Sequence, residues 1–148
     1  TGEQMAGIMT MGADGVWCAS VFLPTTEAET SENIKEKMIQ ATSSQTVRSK
    51  SRTGKHSRQL QSAWTDAWES KDAPEPLPMP LQTIVGEPAL AIVSKQATLG
   101  NEGAKKLDTY WVGQGIGLVN ETISAGQTVQ KFKEEFVGAY ERITNLVD

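Results

Sequence analysis

Thr1-Gly2-Glu3-Gln4-Met5-Ala6-Gly7-Ile8-Met9-Thr10-Met11-Gly12-Ala13-Asp14-Gly15-Val16-Trp17-Cys18-Ala19-Ser20-Val21-Phe22-Leu23 is the stretch whose reading decides the fold. It reads as helix, glycine stop, tight turn and buried strand. Glu3, Gln4, Met5, Ile8, Met9 and Met11 follow a short helical pattern, and Gly12 supplies a residue that tolerates the left-handed conformation. Asp14-Gly15 then turns the chain into an apolar run, Val16 to Leu23. That order is the tail of a βαβ unit, so the expected class is α/β. Ligands of open α/β sheets and barrels sit at the carboxyl ends of parallel strands, which makes Trp17, Cys18, Ala19 and Ser20 the place to look for chemistry.

Immediately before the strand, Thr1-Gly2-Glu3-Gln4 has the form of a capping box. Two readings of this helix start stand side by side. It is an ordinary capped helix, or its free N–H groups and positive dipole end, beside the mouth of a strand, receive a phosphate that Gly2 lets approach closely. The chain begins at Thr1, at the first turn of this helix, which suggests a fragment.

The remaining 125 residues add helices and connectors. Ile34, Met38 and Ala41 space an apolar helix face, with Glu32, Lys35, Glu36 and Lys37 expected on a solvated side. Gln45 to Ser49 predicts a short extended piece before a Thr53-Gly54-Lys55 turn, and a helix is expected over about 57–70, with Trp64 and Trp68 stacked at i, i+4 as a core anchor. Prolines at 74, 76, 78 and 80 force an extended connector. Pro88 is expected to open a helix that runs to about Ala97, and residues 99–109 read as a loop. Gly113, Gly115 and Gly117 are evenly spaced and do not match a dinucleotide fingerprint, so a structural turn and a cofactor contact both remain open. The last helix is the plainest. Ser124 and Gln127 have capping-box spacing, and Val129, Phe132, Phe136, Tyr140, Ile143 and Val147 make one apolar stripe opposite Lys131, Lys133, Glu134, Glu135 and Glu141.

Composition excludes several functions. A net charge of −4 with both signs scattered gives no nucleic-acid footprint, and the one basic stretch, Arg48 to Arg58, reads as a solvated loop or local anion contact. There is no transmembrane run and no signal-peptide pattern, and a lone Cys18 in an apolar strand points to a reducing, cytoplasmic setting. No metal-ligand cluster, nucleophile–base constellation or P-loop is present in the sequence, so no metal is expected.

The segments Thr1 to Met5 and Met11 to Trp17, followed by Gln45-Thr46-Val47-Arg48-Ser49, Thr53-Gly54-Lys55, Trp64 to Glu69, Pro78-Met79-Pro80-Leu81-Gln82 and Val112 to Leu118, together resemble the nitronate monooxygenases, formerly called 2-nitropropane dioxygenases. The resemblance spans nearly the whole chain. It implies the C-terminal part of a (β/α)8 barrel that carries FMN at its mouth, followed by a mostly helical covering domain. Residues 1–23 would finish the barrel, 24–120 would form the covering domain, and 121–148 would supply a helix packing back on the barrel. The family's flavin-phosphate motif falls on Trp17, Cys18, Ala19 and Ser20, with Ala19 where relatives usually have Gly and Ser20 where they often have Thr. The glycine pair before the first helix and the catalytic His would both lie upstream of Thr1, and His56 occupies a position where relatives commonly have Pro. The implied reaction passes electrons from an alkyl nitronate through the flavin to molecular oxygen, leaving a carbonyl compound and nitrite. An FMN-dependent enoyl or quinone reductase on the same barrel is the alternative enzyme. A non-catalytic helical module that binds a partner through its Trp and Pro surfaces is the alternative of another class.

Overall fold

A computed structural model describes residues 1–146, and Val147, expected at the end of the last apolar stripe, lies outside them. The fold is mixed α/β and rich in helix. Its helices are α1 (Gly2–Thr10), α2 (Glu32–Gln40), α3 (Ala63–Trp68), α4 (Leu81–Thr98), α5 (Glu102–Leu107) and α6 (Ala125–Thr144), with strands β1 (Thr46–Ser49) and β2 (Ser57–Leu60) as one antiparallel hairpin. Among the described residues no helix is long and apolar enough to cross a membrane.

The hairpin and the helices around it hold the core. β1 and β2 pair from Thr46 with Leu60 to Ser49 with Ser57, across a turn in which Gly54 adopts φ of 79°. The segment Tyr110 to Val112 lies along the other edge of β2, where the Leu60 amide donates to the Tyr110 carbonyl and the Val112 amide to the Arg58 carbonyl. Ile34 and Met38 of α2 pack there with Leu60, Val112 and Ile116. The predicted apolar face of α2 is therefore the core face. Its supposedly solvated side is not wholly so: Lys35 is buried, and the half-buried Lys37 donates to the Asp108 carbonyl at 2.6 Å.

Four expectations from the sequence are corrected. Val16 to Leu23 is no strand; it is irregular and exposed as far as Ala19, then makes a short 3-10 turn, Ser20–Phe22. A strand needs a neighbour to satisfy its backbone. Among the described residues the only sheet is the hairpin, and none of its strands adjoins this run. The helix expected over 57–70 splits into β2 and α3, because β1 and Tyr110 to Val112 pair with Ser57 to Leu60, and Ser62 caps a new helix by accepting from the Thr65 amide. Pro88 lies inside α4 and does not open it. The helix survives the missing N–H because Gln82, Gly86, Leu90 and Ala97 form one buried face, and tertiary burial outweighs a local penalty of about 3 kcal/mol. The loop expected over 99–109 contains α5, capped by the Asn101 side chain accepting from the Ala104 amide.

A second layer is formed by α1 against α6. Both capping boxes form as predicted, Thr1 with Gln4 and Ser124 with Gln127. The helices cross closely at Gly2, where a methyl group would overlap the Phe132 carbonyl oxygen. The stripe on α6 is only partly covered: Phe132 and Phe136 are half-buried, while Val129, Tyr140 and Ile143 are exposed.

Candidate functional site

The end of the opening stretch, the N-terminus of α1, the glycine-rich turn and the start of α6 meet around one cavity of about 250 Å³. Each wall has a local cause. Gly12, with φ of 105°, stops α1 and reverses the chain so that Cys18, Ala19 and Ser20 return beside Thr1 and Gln4. The Gly113 to Leu118 run is a 3-10 helix over Gln114–Leu118, a structural turn whose Gly115 and Leu118 line the same cavity. Ser20 ties these two walls together, its Oγ accepting from the Gly113 amide at 2.8 Å. A serine hydroxyl that accepts one bond still has its own proton to donate.

The electrostatics come from α6 and the loop before it. The Lys131 ammonium bonds Glu121 Oε1 at 2.8 Å, with both side chains half-exposed. That hydrogen bond first, then the charges of Glu121 and Glu135, hold the Lys131 ammonium above its ordinary range against the opposing effect of burial. Glu135, one helical turn further on, accepts from the Gly2 amide at 2.6 Å. A carboxylate thus takes up one of the free N–H groups at the start of α1, the place where an anion is stabilised by the helix dipole. The Gly2 amide is thereby satisfied from within the chain.

The four residues singled out in the sequence do not share one environment. Ala19 and Ser20 line the cavity, and Cys18, exposed, lies on its edge. Trp17 is 99% exposed and does not line it. With Cys18 it lines a second, apolar cavity of about 510 Å³, walled by Met5, Val16, Phe22, Phe132 and Phe136. Ala19 has φ of −120°, outside the left-handed region, so its backbone does not call for glycine there. His56 is exposed at the hairpin turn and lines neither cavity. Trp64 and Trp68 lie with ring centroids 6.1 Å apart, half-buried, and away from both cavities. No group of residues able to hold a metal ion occurs among the described residues.

Sequence reasoning did not single out Gln4, Lys131 or Glu135 as cavity residues. Spacing offered one signal: 131 and 135 are one turn apart, so a helix presents them together.

The profile of the nitronate monooxygenase family matches residues 1–135. A protein of Mycobacterium tuberculosis that carries a provisional monooxygenase name is 48% identical over 99% of this chain, which covers 39% of that protein. A Bacillus subtilis protein provisionally named a nitronate monooxygenase is 28% identical over 86% of the chain, which covers 35% of it. The chain therefore spans under two fifths of the length of these curated relatives. Among solved structures, FabK from Thermotoga maritima superposes with a TM-score of 0.71 at 22% identity, over 98% of this chain and 44% of that one. A point mutant of the same protein gives 0.67. At that identity the likeness is one of fold alone.

Proposed function

Because the chain belongs to the nitronate monooxygenase family, we propose that it serves an FMN-dependent oxidoreductase that oxidises alkyl nitronates with molecular oxygen to a carbonyl compound and nitrite. In this reading residues 1–23 complete the mouth of a flavin-binding barrel, 24–120 form the domain that covers it, and 121–148 pack back against the barrel. The rest of the barrel and the catalytic base belong to a polypeptide of the relatives' length.

The observation that carries the reading is the meeting of Ala19, Ser20 and the start of α1 on one cavity, where Ser20 keeps a hydroxyl proton to donate. That arrangement fits an anion. Bound FMN would supply the redox chemistry, and the chain's part is to hold and orient it. Ser20 would donate its free hydroxyl proton to a phosphate oxygen, and the 18–20 backbone would offer N–H groups at the same edge. The Gly113 amide fixes the Ser20 side chain, so that the hydroxyl is oriented before the phosphate arrives. Trp17 and Cys18 would border the cofactor on the apolar side.

Riboflavin lacks the phosphate and so isolates this contact. In the full-length protein, Ser20→Ala should weaken FMN by roughly ten-fold, the size of one charge-assisted hydrogen bond, and leave riboflavin unchanged. The parent should release nitrite from an alkyl nitronate. Equal FMN affinity in parent and Ser20→Ala would place the phosphate elsewhere, and an FMN-loaded protein inert toward nitronates would overturn the substrate.

A further inference from the structure

A phosphate monoester carries a charge of about −1.5 to −2 near neutral pH, and residues 1–34 contain no Lys or Arg to meet it. Backbone amides and one hydroxyl supply hydrogen bonds without a full positive charge. The fold supplies one from the far end of the chain: the start of α6 brings Lys131 to the cavity wall that Thr1 and Ser20 also line. We propose that Lys131 is the cation that pairs with the cofactor phosphate, exchanging its bond to Glu121 for that pairing. The inference rests on the reading of this cavity as the phosphate site.

Among the described residues three charged side chains line the cavity, and they have unequal freedom. Glu135 is engaged with the Gly2 amide in the close crossing of α1 and α6. Glu121 lies in the loop before α6, is half-exposed, and among the described residues is held by Lys131 alone. Half-exposed pairs of this kind are weak, since water competes for both partners. Glu121 can therefore turn into solvent while the lysine stem, fixed at its base by the helix, stays on the wall. A doubly charged phosphate in the cavity attracts the ammonium more strongly than a singly charged carboxylate does. Thr128, buried one turn before Lys131, and Glu135, one turn after it, keep this face of α6 turned inward.

The test uses flavin titrations of the full-length protein, with FMN and riboflavin as paired probes. Lys131→Gln should weaken FMN about two- to five-fold, the range for a partly exposed charge pair, with riboflavin unaffected. Lys131→Arg should retain most of the FMN affinity. Glu121→Gln, which leaves the lysine in place and removes its competing partner, should tighten FMN and leave riboflavin unchanged. If Ser20→Ala lowers the preference for FMN over riboflavin while Lys131→Gln and Glu121→Gln leave it unmoved, Lys131 has no such role and the phosphate reading stands. If none of the three moves that preference, the phosphate lies elsewhere and both fail. Should Lys131→Gln not fold, the Glu121→Gln titration alone decides, since unchanged FMN affinity there overturns the exchange.

Discussion

Ala19 shows how one dihedral angle settles what a residue type leaves open. The resemblance implies glycine at this position, and an alanine there strains the backbone only if positive φ is needed; its φ is −120°. Ala19→Gly should therefore leave FMN affinity within about two-fold while costing stability by roughly 0.5–1 kcal/mol, because glycine loses more freedom on folding. Tightening of five-fold or more in a flavin titration would show that the methyl group obstructs the phosphate. The sequence pointed to Ala19 and Ser20, which line the cavity, and left their conformation open. Partners brought from far along the chain were equally hidden. Glu135 and the Gly2 amide are separated by 133 positions, and no local pattern relates them. Trp17 is the opposite case, a residue that motif position grouped with Cys18 to Ser20 and that the fold turns outward onto the apolar cavity.

Among the elements, the crossing of α1 and α6 depends on one missing side chain. A Cβ at Gly2 would meet the Phe132 carbonyl oxygen, and it would lie 2.8 Å from Glu135 Cβ and from the Phe136 amide nitrogen. Gly2→Ala should force the helices apart and destabilise the protein by about 1–3 kcal/mol, the usual cost of overpacking, in spite of the better helix propensity of alanine. Urea denaturation measures this, and an unchanged midpoint would show that the crossing yields freely. One of the two sequence readings of this helix start used Gly2 for close approach to a phosphate; the structure uses it for close approach of another helix. Helices α1, α2 and α6 were legible because caps and a 3.6-residue apolar period are local signals. β2 was not. Ser57-Arg58-Gln59-Leu60 has no apolar alternation, and it is a strand because β1 and Tyr110 to Val112 satisfy both of its edges. The same holds for α4, where Pro88 signals a helix start and a buried face formed by Gln82, Gly86 and Leu90 carries the helix through it.

For the whole molecule, the question is what covers the apolar surface of the α1–α6 layer; other exposed apolar groups lie on α4, at Ile84, Val85 and Ile92. The core is built around the hairpin and α2, yet the α1–α6 layer leaves Trp17 99%, Tyr140 63% and Val137 50% exposed, with Ile8, Val16 and Val129 also open. Contiguous exposed apolar patches beyond a few hundred Å² are rare on monomeric proteins and mark surfaces that another body covers. The apolar cavity between Trp17, Phe22 and Phe136 belongs to the same side. In the proposed reading the remainder of the barrel lies against it, which also explains why Val16 to Ala19 has no strand to pair with among the described residues. Residues 1–148 produced alone should therefore bind a hydrophobic dye, associate at micromolar concentration and fail to turn over a nitronate when mixed with FMN. Val137→Glu should reduce that association without changing the far-ultraviolet circular dichroism, since at about 25 cal/mol per Å² each covered aliphatic group contributes on the order of 1–2 kcal/mol to it. Light scattering and dye fluorescence make the comparison. A monodisperse, dye-silent chain that binds one FMN and releases nitrite would mean that the apolar side needs no cover, and the division of the barrel between this chain and the rest of a longer polypeptide would be wrong.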